Sequence, residues 1–114
     1  MGKKLTDGDT QEAVRRFLSL ISKKYDVAGA VLYGSRARAT HRPDSDADVA
    51  VLMNGEHRRV LTTTLEMADL AYDILLETGI NISPLPVWID EWERPELHPN
   101  PDLLHHIAAD GIRF

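Results

Sequence analysis

Residues 31–48 have the sequence VLYGSRARATHRPDSDAD, and this stretch decides the fold because it links two apolar segments through a polar one. The first apolar segment, Val27–Tyr33, is short and ends at a glycine, which favours a buried strand over a helix. The second, residues 46–53, is predicted to be another strand. Between them we expect one or two helical turns over residues 36–40, followed by a loop.

The polar connection contains a spaced pattern: Gly34-Ser35, ten residues, then two aspartates at positions 46 and 48. A glycine after a buried strand lets the backbone approach a ligand closely, and the amides that follow can point at phosphate oxygens. Ser35 adds a hydroxyl donor. Asp46 and Asp48 lie two apart on a strand, so both carboxylates leave one face and can converge on a metal ion. Mg²⁺ binds one or two carboxylates plus water and phosphate, so the pattern predicts a magnesium nucleotide site.

Three arginines, Arg36, Arg38 and Arg42, fall within seven residues of the same connection. Arg36 and Arg38 are predicted to bind the nucleotide by neutralising the remaining phosphate charge. Elsewhere the balance is acidic, with a net charge of −5. Binding along a nucleic-acid backbone needs many Lys or Arg contacts, so we expect no direct DNA binding.

Upstream of this connection, the sequence predicts an amphipathic helix. Asp9 is expected to be its N-cap, with Glu12 three positions later as the capping-box partner. The apolar residues at helical spacing behind them are Val14, Phe17, Leu18, Ile21 and Tyr25. We expect this apolar face to be packed.

Downstream, the longest periodic segment runs over about residues 56–78 and is predicted to be a helix that stops at Gly79. Its apolar stripe, which we expect to pack onto the sheet, consists of Leu61, Leu65, Ala68, Tyr72 and Leu75. Residues 80–88 are then predicted to be a third strand. A strand–helix–strand crossover makes strands two and three parallel, and Pro84 and Pro86 place the third strand at an edge.

The remaining sequence predicts a short helical turn that stops by Pro95. A final helix is expected to begin at Asn100, which is followed by a proline, and to end before Gly111. Helices and strands together indicate one α/β domain over residues 1–114.

The pattern Gly-Ser, ten residues, Asp-x-Asp resembles the signature of the polymerase-β-like nucleotidyltransferases. Within that superfamily, the short chain and residues 31–38 most resemble the minimal nucleotidyltransferase (MNT) domains. The resemblance covers nearly the whole chain and is specific over residues 31–53. It implies an α/β (α+β) fold with a small three-stranded mixed sheet packed by helices. It also implies ATP as substrate, Mg²⁺ as cofactor, and an antitoxin role in which a tyrosine of a HEPN-domain ribonuclease toxin is adenylylated.

By that resemblance, Gly34 and Ser35 hold the nucleotide phosphates, while Asp46 and Asp48 hold the metal ions and are the catalytic residues. Superfamily members usually carry a third carboxylate on the neighbouring strand. This chain has Asn81 and Ser83 on one face there and no acid. Asn81 could coordinate a metal at the third position but cannot act as a carboxylate base, so binding is better supported than transfer.

Three alternatives remain open. The protein could be a non-catalytic antitoxin that neutralises its partner by stoichiometric binding. It could act on a small molecule, although families of that kind carry a further domain for the acceptor. The Gly-Ser turn and the Asp-x-Asp strand could also have arisen independently.

The composition indicates in which compartment the protein is expected. The chain contains no cysteine and no stretch of about 20 apolar residues, and its N-terminus shows no secretion signal. We therefore expect a cytoplasmic protein without a membrane role, and a homo-oligomer stays open. His41 is expected to be a solvated loop residue, no histidines show zinc spacing, and Trp92 with Leu97 could contribute to a partner surface.

Overall fold

The computed structural model describes residues 7–114. In chain order the elements are α1 (Gly8–Ile21), β1 (Val27–Tyr33), β2 (Ala47–Met53), α2 (Val60–Thr78), β3 (Ile82–Trp88), α3 (Ile89–Glu93), a 3₁₀ turn (Pro95–Leu97), α4 (Pro101–Asp110) and β4 (Ile112–Arg113). The predicted absence of a secretion signal rests largely on residues 1–6, which lie outside the described residues. Between residues 7 and 114, no helix is both long enough and apolar enough to cross a membrane.

The strands form one mixed sheet in the order β3-β2-β1-β4. β1 runs antiparallel to β2 and β4, whereas β2 and β3 are parallel. The α/β class, the mixed sheet and the parallel crossover are thus confirmed. The prediction of three strands is wrong by one, because β4 contributes only two residues, which pair with Val31 and Leu32 and leave no periodic pattern in the sequence.

β3 lies at an edge of the sheet, as its prolines predict. Pro84 and Pro86 pair in register with Val49 and Val51 of β2. Proline has no N–H, so it is tolerated where that group would face away from the neighbouring strand. The same two positions deny a donor to any further strand and protect this edge from pairing.

The two faces of the sheet are covered by different helices. On one face, α1 and α2 contribute side chains such as Phe17 and Met67, which pack with Val49 and Val51. On the other face, α4 packs Leu104 and Ile107 against a smaller set of sheet residues, namely Val31, Ala50, Leu52 and Val87. The second cover leaves the start of β2 open, and Asp48 lies on that face by strand alternation.

The cap of α1 is Asp7, which corrects the predicted Asp9 and its capping box with Glu12. The Asp7 carboxylate accepts a hydrogen bond from the Thr10 backbone N–H at 2.6 Å. Asp9 instead lies inside the first turn. Asp7 and Asp9 both satisfy the residue preference of an N-cap. Only the point at which the backbone enters the helix distinguishes them, and the sequence does not show that point.

α2 packs on the sheet with a different face from the predicted one. Its buried residues are Thr63, Met67, Ala71 and Ile74. The predicted stripe lies largely in solvent, with Leu61 72%, Leu65 58% and Tyr72 57% exposed. The helix is apolar on two sides, so its periodicity could not show which side faces the sheet. It also begins at Val60 rather than near residue 56, and it ends at Gly79 as predicted, with φ +77° there.

Gly111 ends α4 as predicted, but steric space is what requires a glycine. Its φ is −78°, a value that any residue adopts. A Cβ at this position would lie 2.2 Å from Val31 Cγ1 and 2.5 Å from the Ile107 carbonyl oxygen. Glycine therefore lets α4 pass directly over β1 before the chain turns into β4.

Gly111→Ala should lower the free energy of unfolding by about 1–3 kcal/mol, because the added methyl overpacks a contact between backbone and core. Urea denaturation followed by circular dichroism measures the change. Gly29→Ala is the matched control: its Cβ would meet Arg113 Nη2 and the Phe114 oxygen at 3.6 Å, an ordinary contact distance. Equal stability of the two variants would contradict the steric argument.

Candidate functional site

The two halves of the spaced pattern meet where β1 ends and β2 begins. Tyr33, the last residue of β1, pairs with Asp48 in the antiparallel register. Gly34 follows with φ +78°, and a Cβ built there would lie 2.6 Å from Asp48 Oδ2. Glycine suits both this backbone conformation and the close approach of the carboxylate. The turn predicted to hold phosphate therefore adjoins a carboxylate predicted to hold metal.

The electrostatics of this corner are set by two neighbouring acids. Asp46 is exposed and lies one residue before β2, while Asp48 is half-buried. Burial and the negative charge of Asp46 raise the pKa of the Asp48 carboxyl. Burial and the charge of Asp48 raise the pKa of Tyr33 to about 12, so its hydroxyl stays neutral at physiological pH. A cation between the two carboxylates would relieve their repulsion.

No acid stands beside this pair on the neighbouring strand. Ser83 pairs with Asp48 in the parallel register of β2 and β3, so the two side chains leave the same face. Asn81 precedes β3, and its carbonyl accepts a hydrogen bond from the Ala47 N–H at 2.9 Å. The register puts Ser83 level with Asp48 and, continued by one residue, puts Asn81, the residue predicted for a third metal-site position, level with Asp46. Strand alternation showed that positions 81 and 83 share a face, but not which of them is level with Asp48.

The donor set fits a magnesium ion bound together with phosphate. Within residues 7–114, no three His, Cys, Asp or Glu side chains are grouped so as to hold a metal. Asp46 and Asp48 would supply two carboxylates, and Ser83 and Asn81 on the neighbouring strand would supply neutral oxygens. Mg²⁺ usually takes one or two protein carboxylates and keeps its other positions for water and substrate phosphates.

Arg36 does not reach this corner as a phosphate ligand, which corrects the predicted role. Its side chain is only 3% exposed. The guanidinium donates to the backbone carbonyls of Ser45 at 2.8 Å and Pro43 at 3.0 Å, and to Thr10 Oγ1 at 2.8 Å. These bonds tie the connection between β1 and β2 to the first turn of α1. Arg36 is therefore a clamp that holds the chain immediately before Asp46.

A second tether joins the same connection to α1. His41 Nε2 lies 2.7 Å from Asp7 Oδ2, and the imidazole is mostly buried rather than solvated as predicted. Burial acts to raise the pKa of Asp7, but hydrogen bonds from Thr10 and His41 outweigh it and lower that pKa. Asp7 thus serves both as the cap of α1 and as an anchor for the loop.

Arg38 remains available for a phosphate. Its backbone N–H donates to the Gly34 carbonyl at 3.2 Å, which makes one helical turn after the strand. Ala39, with φ +58°, ends this helical turn. Of the one or two turns expected over residues 36–40, one is therefore present. The Arg38 side chain is exposed, and no ion pair or hydrogen bond involves its guanidinium in the part of the chain that the structure describes.

Comparison with known proteins bears on this geometry. A family model described as "Nucleotidyltransferase domain" matches residues 14–106. Among solved structures, the chain is similar to a "putative nucleotidyltransferase from Sulfolobus solfataricus", with a TM-score of 0.52 and 16% identity. The match covers 100% of this chain and 90% of that one; at this identity it supports the fold alone. No curated protein matches the sequence.

Arg36→Lys should lower the free energy of unfolding by about 2 kcal/mol or more, because an ammonium cannot reproduce three directed bonds from a buried fork and would leave buried carbonyls unpaired. Arg38→Lys, two positions away and exposed, is the matched control and should change stability little. Urea denaturation of both variants tests the assignment. If Arg36→Lys were as stable as the parent protein, the clamp would be refuted.

Proposed function

The chain belongs to the nucleotidyltransferase domain family, and from that premise we propose that it transfers AMP from magnesium ATP to a hydroxyl group of a partner protein. The observation that carries the proposal is the contact between Gly34 and the Asp48 carboxylate. It supports the proposal because the turn proposed to bind phosphate and the carboxylate proposed to bind metal lie together at one corner of the sheet, with Asp46 one residue before β2.

In this proposal, each residue of the corner has a separate role in the transfer. The backbone after Gly34 and the Ser35 hydroxyl orient the phosphates, and Arg38 offsets their charge. Asp46 and Asp48 hold Mg²⁺, which neutralises charge on the phosphates when bound. The acceptor oxygen then bonds to the α-phosphorus, the bond to the β-phosphate oxygen breaks, and pyrophosphate leaves. The hydroxyl proton passes to water.

The acceptor in this proposal is presented by another protein. On the sheet face to which Asp48 belongs, several apolar side chains are only partly buried around the smaller core, among them Tyr33, Leu85, Trp92 and Leu103. A partly buried apolar surface of this kind suits contact with an apolar or aromatic side chain of another protein. Following the MNT resemblance, we propose that the acceptor is a tyrosine of a HEPN-domain toxin and that the protein acts as its antitoxin.

A second candidate is a non-catalytic antitoxin that binds its partner and uses the nucleotide, if any, as structure. Ser83 beside Asp48 favours it. A serine hydroxyl is a poor proton acceptor at neutral pH, so the neighbouring strand offers no carboxylate to deprotonate the acceptor. Under this candidate, burial of the partner surface provides the protection.

Transfer is tested by mixing the protein with ATP labelled at the α-phosphate, Mg²⁺ and the protein encoded by the adjacent reading frame. We expect label on that partner, and at least a hundredfold less with Asp46→Asn and Asp48→Asn together, because the carboxylates hold the metal. Ser83→Asp should raise the rate, and Asn81→Asp, the matched control, should raise it less. Protection from the toxin without any labelling would refute transfer and support the non-catalytic candidate.

Gly34→Ala should weaken binding of magnesium ATP at least tenfold, because the new methyl group displaces the Asp48 carboxylate. Isothermal titration calorimetry measures the affinity. Gly79→Ala is a close control: its φ of +77° nearly equals the +78° of Gly34, but its Cβ would meet nothing within 4 Å. Equal affinity of the two variants would show that the contact with Asp48 plays no part in nucleotide binding.

A further inference from the structure

The surface of α2 carries an exposed row of apolar side chains that belongs neither to the candidate site nor to the core. We call it the α2 stripe; it consists of Leu61, Leu65, Ala68, Tyr72 and Leu76, all exposed. Of the six exposed large hydrophobic side chains in the described range, five lie on α2 and the sixth is Leu97. This concentration on one helix sets the row apart from the scattered apolar residues that any surface carries.

The spacing of the row indicates that a helix covers it. Leu61, Leu65, Ala68, Tyr72 and Leu76 follow one another at intervals of four, three, four and four residues, and the half-buried Leu75 lies three residues after Tyr72. Steps of three and four residues are the pattern with which one helix packs along another at a crossing angle near 20°. The row extends over about 23 Å, at roughly 1.5 Å per residue. A loop or a strand would not match this repeat.

We propose that the covering helix is α2 of a second copy of this chain, packed antiparallel about a two-fold axis. The stripe is symmetric about the point between residues 68 and 69: Leu61 then faces Leu76 of the other copy, and Leu65 faces Tyr72. A two-fold interface must be self-complementary in this way. Ala68, the smallest member, falls at the axis, where it lets the two helices approach closely.

The charges favour the antiparallel direction. Arg58 and Arg59 precede α2, and the helix itself contains no Lys or Arg. Of its four acids, Glu66 lies in the first half and accepts a hydrogen bond from the Tyr25 hydroxyl, whereas Asp69, Asp73 and Glu77, which also pairs with Arg16, lie from the middle of the helix onward. In an antiparallel pair the basic start of one helix lies beside the acidic end of the other, and the helix dipoles oppose each other. A parallel pair would bring like charges together along its length. The like-charge contact that remains is Asp69 with its symmetry mate beside the axis.

This assembly goes beyond the proposed transfer and leaves the site accessible. α2 covers one face of the sheet, and Asp48 lies on the other face by strand alternation. The two copies would therefore carry their sites on outward surfaces. Dimerisation and nucleotide binding can be lost independently, which separates a failure of this inference from a failure of the proposed function.

Sedimentation velocity over a dilution series from about 100 µM tests the pairing. We expect a dimer for the parent protein, a monomer for Leu65→Glu with an unchanged far-ultraviolet circular dichroism spectrum, and a dimer for the control Leu97→Glu. Asp69→Asn should tighten the dimer several-fold, because it removes the like-charge contact at the axis. A parent protein that stays monomeric throughout would overturn the proposal, as would a dimer that survives Leu65→Glu.

Cysteine cross-linking tests the direction, since the chain contains no cysteine of its own. Under mild oxidation, Ala68→Cys should link to itself across the axis. Leu76→Cys should link to Leu61→Cys in a mixture of the two variants but not to itself, because two copies of position 76 would be separated by more than 20 Å along the helices. A self-link at Leu76→Cys without the mixed link would overturn the antiparallel arrangement.

Discussion

The contact between the backbone of Gly34 and the carboxylate of Asp48 is the constraint on which the site depends. Asp48 lies in β2, which pairs with β1, and Tyr33 of β1 is the partner of Asp48 in that register. The carboxylate can come this close only because position 34 has no Cβ and adopts a positive φ. A single backbone geometry therefore turns the chain and lets the carboxylate of Asp48, the proposed metal ligand, lie against the turn.

Holding that geometry requires the ten-residue connection between Ser35 and Asp46 to be anchored, because a free loop of this length would sample many paths. Arg36 supplies the main anchor by donating to two carbonyls of the loop and to Thr10. His41 supplies a second through Asp7. The rigid first turn of α1 thus positions Asp46, although α1 carries none of the predicted ligands.

Sequence patterns predicted the parts of this structure that depend on local chemistry. β1 has the predicted bounds and β2 begins one residue late, since both are apolar runs bounded by turn residues. The edge position of β3 followed from the missing N–H groups of its prolines. The spacing of Gly34, Ser35, Asp46 and Asp48 likewise indicated a common site, because residue type and strand periodicity were enough to bring them to one corner.

Features that depend on tertiary contacts escaped prediction. β4 has two residues and no periodicity, and its position depends on the passage of α4 over β1 at Gly111. Arg36 and Arg38 are the same residue type two positions apart, yet one is buried among carbonyls and the other is exposed.

The packing of α2 shows most clearly that periodicity alone does not determine which face of a helix makes a tertiary contact. The face that was wrongly predicted to pack on the sheet also carries information of its own. A helix with one apolar face has one way to pack, whereas α2 has two apolar faces and a single sheet beneath it. Met67 and Ile74 lie on the face that the sheet covers, while Leu65 and Tyr72 lie on the other and remain more than half exposed in the monomer. Apolar area left in water forgoes roughly 25 cal/mol per Å², so a regular exposed row of this length is best explained by a contact that the isolated chain does not make.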